Sequence, residues 1–167
     1  MLLGLNLCLH IDEVCAPQWK DFDLAKGTYA VIRGKTESDR IPRAATLWPE
    51  TLAALNALPR RGTSPFVFTS KMGTRYACTS RVDDFREFRK AAGLPDELTF
   101  DSIRDGAYTA AMQEAPDERW ARVLAGHKAP GLTDNYVLRN PQCARPACEA
   151  VYKVYFPSRR GARSKGT

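Results

Sequence analysis

The chain has 167 residues, 44% of them apolar and 26% charged, with 11 Gly and 11 Pro. That composition excludes collagen-like, low-complexity and wholly disordered chains and suits one domain with a packed core. The 25 Lys and Arg outnumber 19 Asp and Glu, but Arg159, Arg160, Arg163 and Lys165 all fall in the last ten residues, leaving a body of 21 cations against 19 anions. Charge alone therefore argues for a basic tail more than for a basic binding face.

In chain order, Leu2, Leu3, Leu5, Leu7, Leu9, Ile11 and Val14 predict one helix buried on most sides and closed by Pro17. An extended passage from Trp19 to Leu24 leads into the turn Lys26-Gly27, and Thr28 to Ile32 is rich in strand formers. Gly34 to Asp39 is a polar turn, after which Arg40-Ile41-Pro42 resumes an extended path, so a small antiparallel sheet is expected among helices. Pro49 suits a first helical turn, and Leu52, Leu55 and Leu58 follow at helical spacing until Pro59. Pro65 to Phe68 predicts a short strand.

From Ser80, the set Val82, Phe85, Phe88 and Ala92 marks an amphipathic helix stopped by Gly93, with Arg81, Arg86, Arg89 and Lys90 on its other face. That stripe is a solvated face or, in a DNA clamp, a track for phosphates. Further helices are expected over about 101–113, 117–125 and 144–155, and Gly, Ser and Arg dominate from Ser158 onward. The expected fold class is mixed α+β, mainly helical. The domain reading is 1–157, followed by a basic flexible tail over 158–167.

The apolar stretch from Met1 to Leu9 is interrupted by Gly4 and Asn6 and is far shorter than the roughly 20 residues a bilayer span needs. It has no cationic lead-in and no small-residue cleavage site, so a cytoplasmic protein is expected, nucleoid-associated if prokaryotic, with no membrane partner. The five cysteines, Cys8, Cys15, Cys78, Cys143 and Cys148, are odd in number and form no CxxC; they read as reduced packing residues rather than a disulfide framework or zinc site.

Chemistry concentrates in Leu98-Thr-Phe-Asp-Ser-Ile-Arg104, in Leu124-Ala-Gly-His127, and in Thr133-Asp-Asn-Tyr136, nine residues beyond that histidine. Upstream stand Leu9-His10-Ile11-Asp12-Glu13-Val14, then Gln18-Trp19-Lys20-Asp21-Phe22-Asp23-Leu24, then Gly34-Lys35-Thr36 with Arg40-Ile41-Pro42. In this order the segments resemble the catalytic domain of tyrosine recombinases, the phage-integrase family. Its patterns are Gly-Leu-Arg-x-x-Glu-Leu, Trp-x-Asp-Ile-Asp, a Lys-Thr … Arg-x-Val-Pro-Leu hairpin, His-x-x-Arg, Leu-Gly-His and Thr-x-x-Tyr. The resemblance spans about Leu3 to Val137, which implies the tyrosine-recombinase catalytic fold.

It also implies strand cleavage by a tyrosine hydroxyl attacking a DNA phosphodiester, giving a 3′-phosphotyrosyl intermediate that a 5′-hydroxyl resolves, with no metal or nucleotide cofactor. A phenol with a pKa near ~10 needs help to lose its proton, the pentacoordinate phosphate needs cationic donors, and the leaving oxygen needs an acid. On the resemblance Tyr136 is the nucleophile, Arg104 a fork-shaped phosphate donor, His127 a second donor, Lys35 the general acid, and Glu13 a structural acid near the cations.

Two family cations are replaced. His10 stands where the family has its first arginine, and Asp101 where it has the histidine of His-x-x-Arg. A neutral imidazole does not substitute for a bidentate guanidinium, and an unpaired carboxylate repels phosphate. Losing one preorganised donor costs on the order of 10²–10³ in rate. Read locally, Asp101 is a helix N-cap, and its spacing from Arg104 lets the two pair and tie up that arginine. His10 reads locally as a packed polar residue, His127 as a helix-end residue on terminal carbonyls, Lys35 as a solvated turn lysine, and Tyr136 as one of six amphipathic tyrosines.

The sequence thus points to a DNA-binding recombinase or integrase domain with impaired cleavage, its partner double-stranded DNA. The alternatives are an active recombinase with a rearranged site and a protein-interaction module on the same fold. Family members also carry an N-terminal helical domain, expected to be missing here because the His10 motif starts almost at Met1. They pass a C-terminal segment to a neighbour, so the stretch Cys143 to Phe156 offers a route to homo-oligomers on DNA, or else packs on its own core.

Overall fold

The apolar run that opens the chain folds as two helices rather than the single one its periodicity predicts. In the computed structural model, which describes residues 1–33, 41–60, 62–76, 78–128 and 139–157, α1 (Leu2–Leu7) ends at Cys8, whose φ of 50° lies in the left-handed region. The chain then restarts as α2 (Ile11–Val14), with His10 extended as its N-cap. A left-handed residue cannot propagate a right-handed helix, so continuous apolar spacing does not carry through it. The break turns the Cys8 carbonyl and the His10 ring toward the rest of the molecule instead of burying them in a helix wall.

After a single 3₁₀ turn over Trp19–Asp21, three strands form an antiparallel sheet in the order β1 (Phe22–Asp23), β2 (Thr28–Arg33), β3 (Ile41–Thr46). The β2–β3 register runs from Thr28 opposite Thr46 to Arg33 opposite Ile41, and Phe22 opposite Tyr29 packs ring to ring, centroids 5.0 Å apart. The expected strand at Pro65 to Phe68 reduces to one isolated bridge, Gln18 to Phe66.

Helix α3 (Pro49–Ala57) follows with proline in its first turn, then α4 (Cys78–Ala91), α5 (Phe100–Glu114), α6 (Glu118–Ala125) and α7 (Pro141–Tyr155). The last of these begins earlier than expected because Asn140 caps it, accepting from the Cys143 N–H at 2.9 Å. The result is the mainly helical α+β fold with a small inserted sheet.

The core gathers Leu3 and Leu7 from α1, Leu9 from the break after it, Ala44 and Ala45 from β3, Ala107 and Ala111 from α5, Val123 and Leu124 from α6, and Ala147 and Val151 from α7. Buried Asn6 stitches α1 to the end of the sheet: its Nδ2 donates to Thr46 O (2.9 Å) and its Oδ1 accepts from Trp48 N (2.8 Å). Gly106 leaves room for the Tyr155 hydroxyl at the end of α7, which a Cβ there would meet. Cys8, Cys15, Cys143 and Cys148 are free thiols. Burial pushes the Cys8 thiol up to about 12 and Cys148 to about 11, so both remain protonated packing groups.

No helix of the described residues is long and apolar enough to cross a membrane. The expected tail, 158–167, lies outside the described residues.

Candidate active site

Helix α5 supplies the floor of the site. Thr99 is its N-cap, in a reciprocal arrangement in which Ser102 N–H donates to Thr99 Oγ1 (3.4 Å) and Thr99 N–H donates to Ser102 Oγ (3.1 Å). Asp101 is therefore not the cap that its residue type suggests; it sits inside the first turn with its carboxylate pointing outward. There it meets His10: Nδ1 of His10 lies 3.2 Å from Asp101 Oδ1, and the Ile11 N–H donates to the same oxygen at 3.4 Å.

The expectation that Asp101 ties up Arg104 is thus corrected. Asp101 turns across to α2, and Arg104, one helical turn further along and buried, points the other way into the molecule. Its Nε donates to the Cys8 carbonyl at 2.8 Å, the carbonyl that the left-handed turn exposes. Its Nη2 lies 3.0 Å from Nε2 of His127. Guanidinium can only donate, so in this contact Nε2 of His127 accepts and the ring proton belongs on Nδ1.

His127 is delivered by the end of α6. Asp117 caps the start of that helix, accepting from Arg119 N–H at 2.8 Å. At the other end Gly126 adopts φ 65°, Gly126 N–H donates to Val123 O (3.2 Å), and His127 N–H donates to Arg122 O (2.9 Å). This is a Schellman termination: the left-handed glycine turns the chain and the next residue leaves the helix axis. The backbone of His127 does cap a terminal carbonyl, as the local reading holds, but its ring reaches Arg104. The Tyr108 ring stands edge-on to the imidazole with centroids 4.7 Å apart, and Arg139 Nη1 donates to the His127 carbonyl at 3.1 Å.

Four of the six residues singled out in the sequence, His10, Asp101, Arg104 and His127, gather at the N-terminal end of α5. Lys35 and Tyr136 lie outside the described residues. Of the basic stripe on α4, Arg86 pairs with Asp83 (3.1 Å) and Arg89 pairs with Asp96 (2.8 Å) and donates to the Leu98 carbonyl (2.9 Å), which ties the loop after α4 in place. The side chain of Arg81 is outside the described residues.

Sequence reading did not single out Arg43. This β3 residue is only 2% exposed, donates from Nη1 to Glu13 Oε2 (2.8 Å) and donates from Nη2 to the Ala125 carbonyl. The available signal was a cation embedded in the otherwise small, apolar end of a strand, Arg43-Ala44-Ala45.

The sequence matches the model of the phage integrase family over residues 1–142, most of the chain. The chain belongs to the phage integrase family. No curated protein sequence is a significant match to it. Among solved structures, an integrase from mycobacterium phage Brujita superposes with a TM-score of 0.69 at 20% identity, covering 90% of this chain and 49% of that one. XerA recombinase gives 0.65 at 20% identity, covering 93% and 56%. The integrase of transposon Tn1549, in complex with transposon right-end DNA, gives 0.62 at 18% identity, covering 85% and 54%. This integrase-family chain therefore spans about half the length of these relatives and shares their fold.

Proposed function

We propose that this chain is a DNA-binding, recombinase-type domain acting in site-specific recombination or integration, and that its own strand cleavage is impaired. The observation that carries the reading is the His10–Asp101 contact at 3.2 Å. At the two positions where the family pattern has an arginine and a histidine, a titratable ring and a carboxylate face each other, so that side of the site offers phosphate at best a neutral pair.

The other side remains suited to an anion. Arg104 is anchored at Nε by a backbone carbonyl, which fixes the plane of its guanidinium, and His127 stands against it. A phosphate oxygen is a stronger acceptor than an imidazole nitrogen and takes its place on the Arg104 fork, and His127 then adds a donor of its own. In the reaction proposed for an intact site, Tyr136 loses its phenol proton to water as it attacks phosphorus, the bond to the 5′-oxygen breaks, and Lys35 donates a proton to that oxygen. Homo-oligomers formed on DNA through the C-terminal segment belong to the same proposal.

Two measurements test it. Affinity for duplex DNA should fall steeply between low and moderate salt, as phosphate contacts require; no binding at low salt would instead favour a protein-interaction module. A suicide DNA substrate should trap little covalent adduct on the native chain and more on the His10→Arg, Asp101→His double variant, with none on Tyr136→Phe. Efficient trapping by the native chain that Tyr136→Phe abolishes would mean the rearranged site is active and the impairment wrong.

A further inference from the structure

Beneath the site runs a contact that no family pattern quoted above provides. Glu13 Oε2 accepts from two donors, the His10 N–H at 2.9 Å and Arg43 Nη1 at 2.8 Å. The same guanidinium donates from Nη2 to the Ala125 carbonyl, two residues before His127, and its Nε packs on Gly126, where a Cβ would meet it at 2.9 Å. Nε itself has no hydrogen-bond partner among the described residues. A fully buried cation left one donor short is costly, and its remaining contacts are placed where they hold two separate backbone segments.

We infer that Arg43 is a positioning residue: its buried guanidinium clamps the start of α2 to the end of α6 and so sets the spacing between His10 and His127. The inference rests on the DNA-site reading for its functional meaning. The geometry explains why arginine is used. One planar fork reaches a carboxylate and a carbonyl in different directions, whereas a lysine ammonium on a single stem cannot hold both. His10 is reached through Glu13 and its own N–H, His127 through the turn at Ala125 and Gly126. Arg43 touches neither ring.

The chain has only two histidines, so their ring C–H resonances report the two ends of the clamp without overlap. Glu13→Gln with Arg43→Met removes both charges together and avoids stranding either one. The expected result is a folded protein whose two histidine ring signals both move and whose duplex affinity at fixed salt weakens about tenfold. Substituting the exposed turn pair between β1 and β2, Asp23→Asn with Lys26→Met, should move neither ring signal.

A folded double variant with both ring signals unmoved overturns the inference. If the double variant does not fold, Arg43→Lys decides: it keeps Glu13 paired but releases Ala125, so the His127 signal should move while that of His10 stays. Arg43→Lys leaving both signals in place, or itself unfolding, would reduce Arg43 to a structural role. If the native chain binds no DNA, the site reading fails separately, and the ring signals still decide whether Arg43 positions the two histidines.

Discussion

Gly126 concentrates several demands in one residue. Its φ of 65° is in the region that L side chains enter at a cost of roughly 1–2 kcal/mol, and a Cβ would also press on Arg43 Nε at 2.9 Å, a distance real contacts do not show. The Arg43 side chain has little room to yield, because it is buried and held at both Nη atoms. Gly126→Ala is therefore expected to lower stability by about 2 kcal/mol, visible as an earlier urea midpoint with an unchanged slope. A variant with the midpoint of the native protein would mean that the turn relaxes freely and does not fix where His127 points.

At the scale of the element, α6 is held by its two ends. Its cap, Asp117, receives the Arg119 N–H and also pairs with the Arg119 guanidinium, and that side-chain hydrogen bond holds the carboxyl below its ordinary range. A carboxyl with a lowered folded pKa stabilises the fold above its unfolded value, near ~4, and the contribution fades as pH falls through the folded value. Asp117→Ala should cost about 1 kcal/mol at neutral pH, the ordinary worth of a cap, and the gap between variant and native protein should narrow in acid. Thermal melts at pH 7 and pH 3 check both parts; a gap that widens in acid would show that the carboxylate is not the stabilising form.

The same element shows what a sequence can disclose. Asp before a helix and Gly-His after it are local signals, and α6 forms where they put it, between Asp117 and Gly126. The opening helix misleads for the opposite reason. Its break depends on a cysteine in a left-handed conformation whose carbonyl is taken by Arg104, 96 residues away, and nothing near Cys8 in the chain announces that. Asp101 follows suit: as a residue type it suits a cap, but Thr99 and Ser102 cap each other and its carboxylate goes to His10, 91 residues distant. Arg43 is buried by a carboxylate 30 positions earlier and a carbonyl 82 positions later. Motif order singles out His10, Asp101, Arg104 and His127, which the fold brings to one end of α5, while their pairings arise only from packing.

Across the whole molecule, α7 decides how the fold closes. Trp48, at the junction of the sheet and α3, donates from Nε1 to the Cys148 carbonyl at 2.9 Å and meets the Tyr152 and Phe156 rings edge-on at 5.4 and 5.6 Å. Tyr152 in turn donates to Glu50 Oε1 at 2.9 Å, and Ala144, Ala147, Cys148 and Val151 are buried. The buried side of the segment from Cys143 to Phe156 is thus docked on its own chain, against α5, α6 and β3, while Val154 and Tyr155 near its end stay exposed. If Trp48 is the anchor of that docking, Trp48→Ala should remove about 3–5 kcal/mol, the usual cost of truncating a buried aromatic, a large share of the 5–15 kcal/mol that holds a typical domain together. Trp48→Phe separates the two contributions: it keeps an aromatic ring between β3 and α7 but loses the donor to Cys148, so it should cost nearer 1 kcal/mol. Urea denaturation of the three proteins side by side gives the comparison. Equal losses for Phe and Ala would place the worth of Trp48 in its hydrogen bond rather than its packing, and near-native stability for Ala would mean that α7 is held by its alanine face against α5 and α6 without the indole.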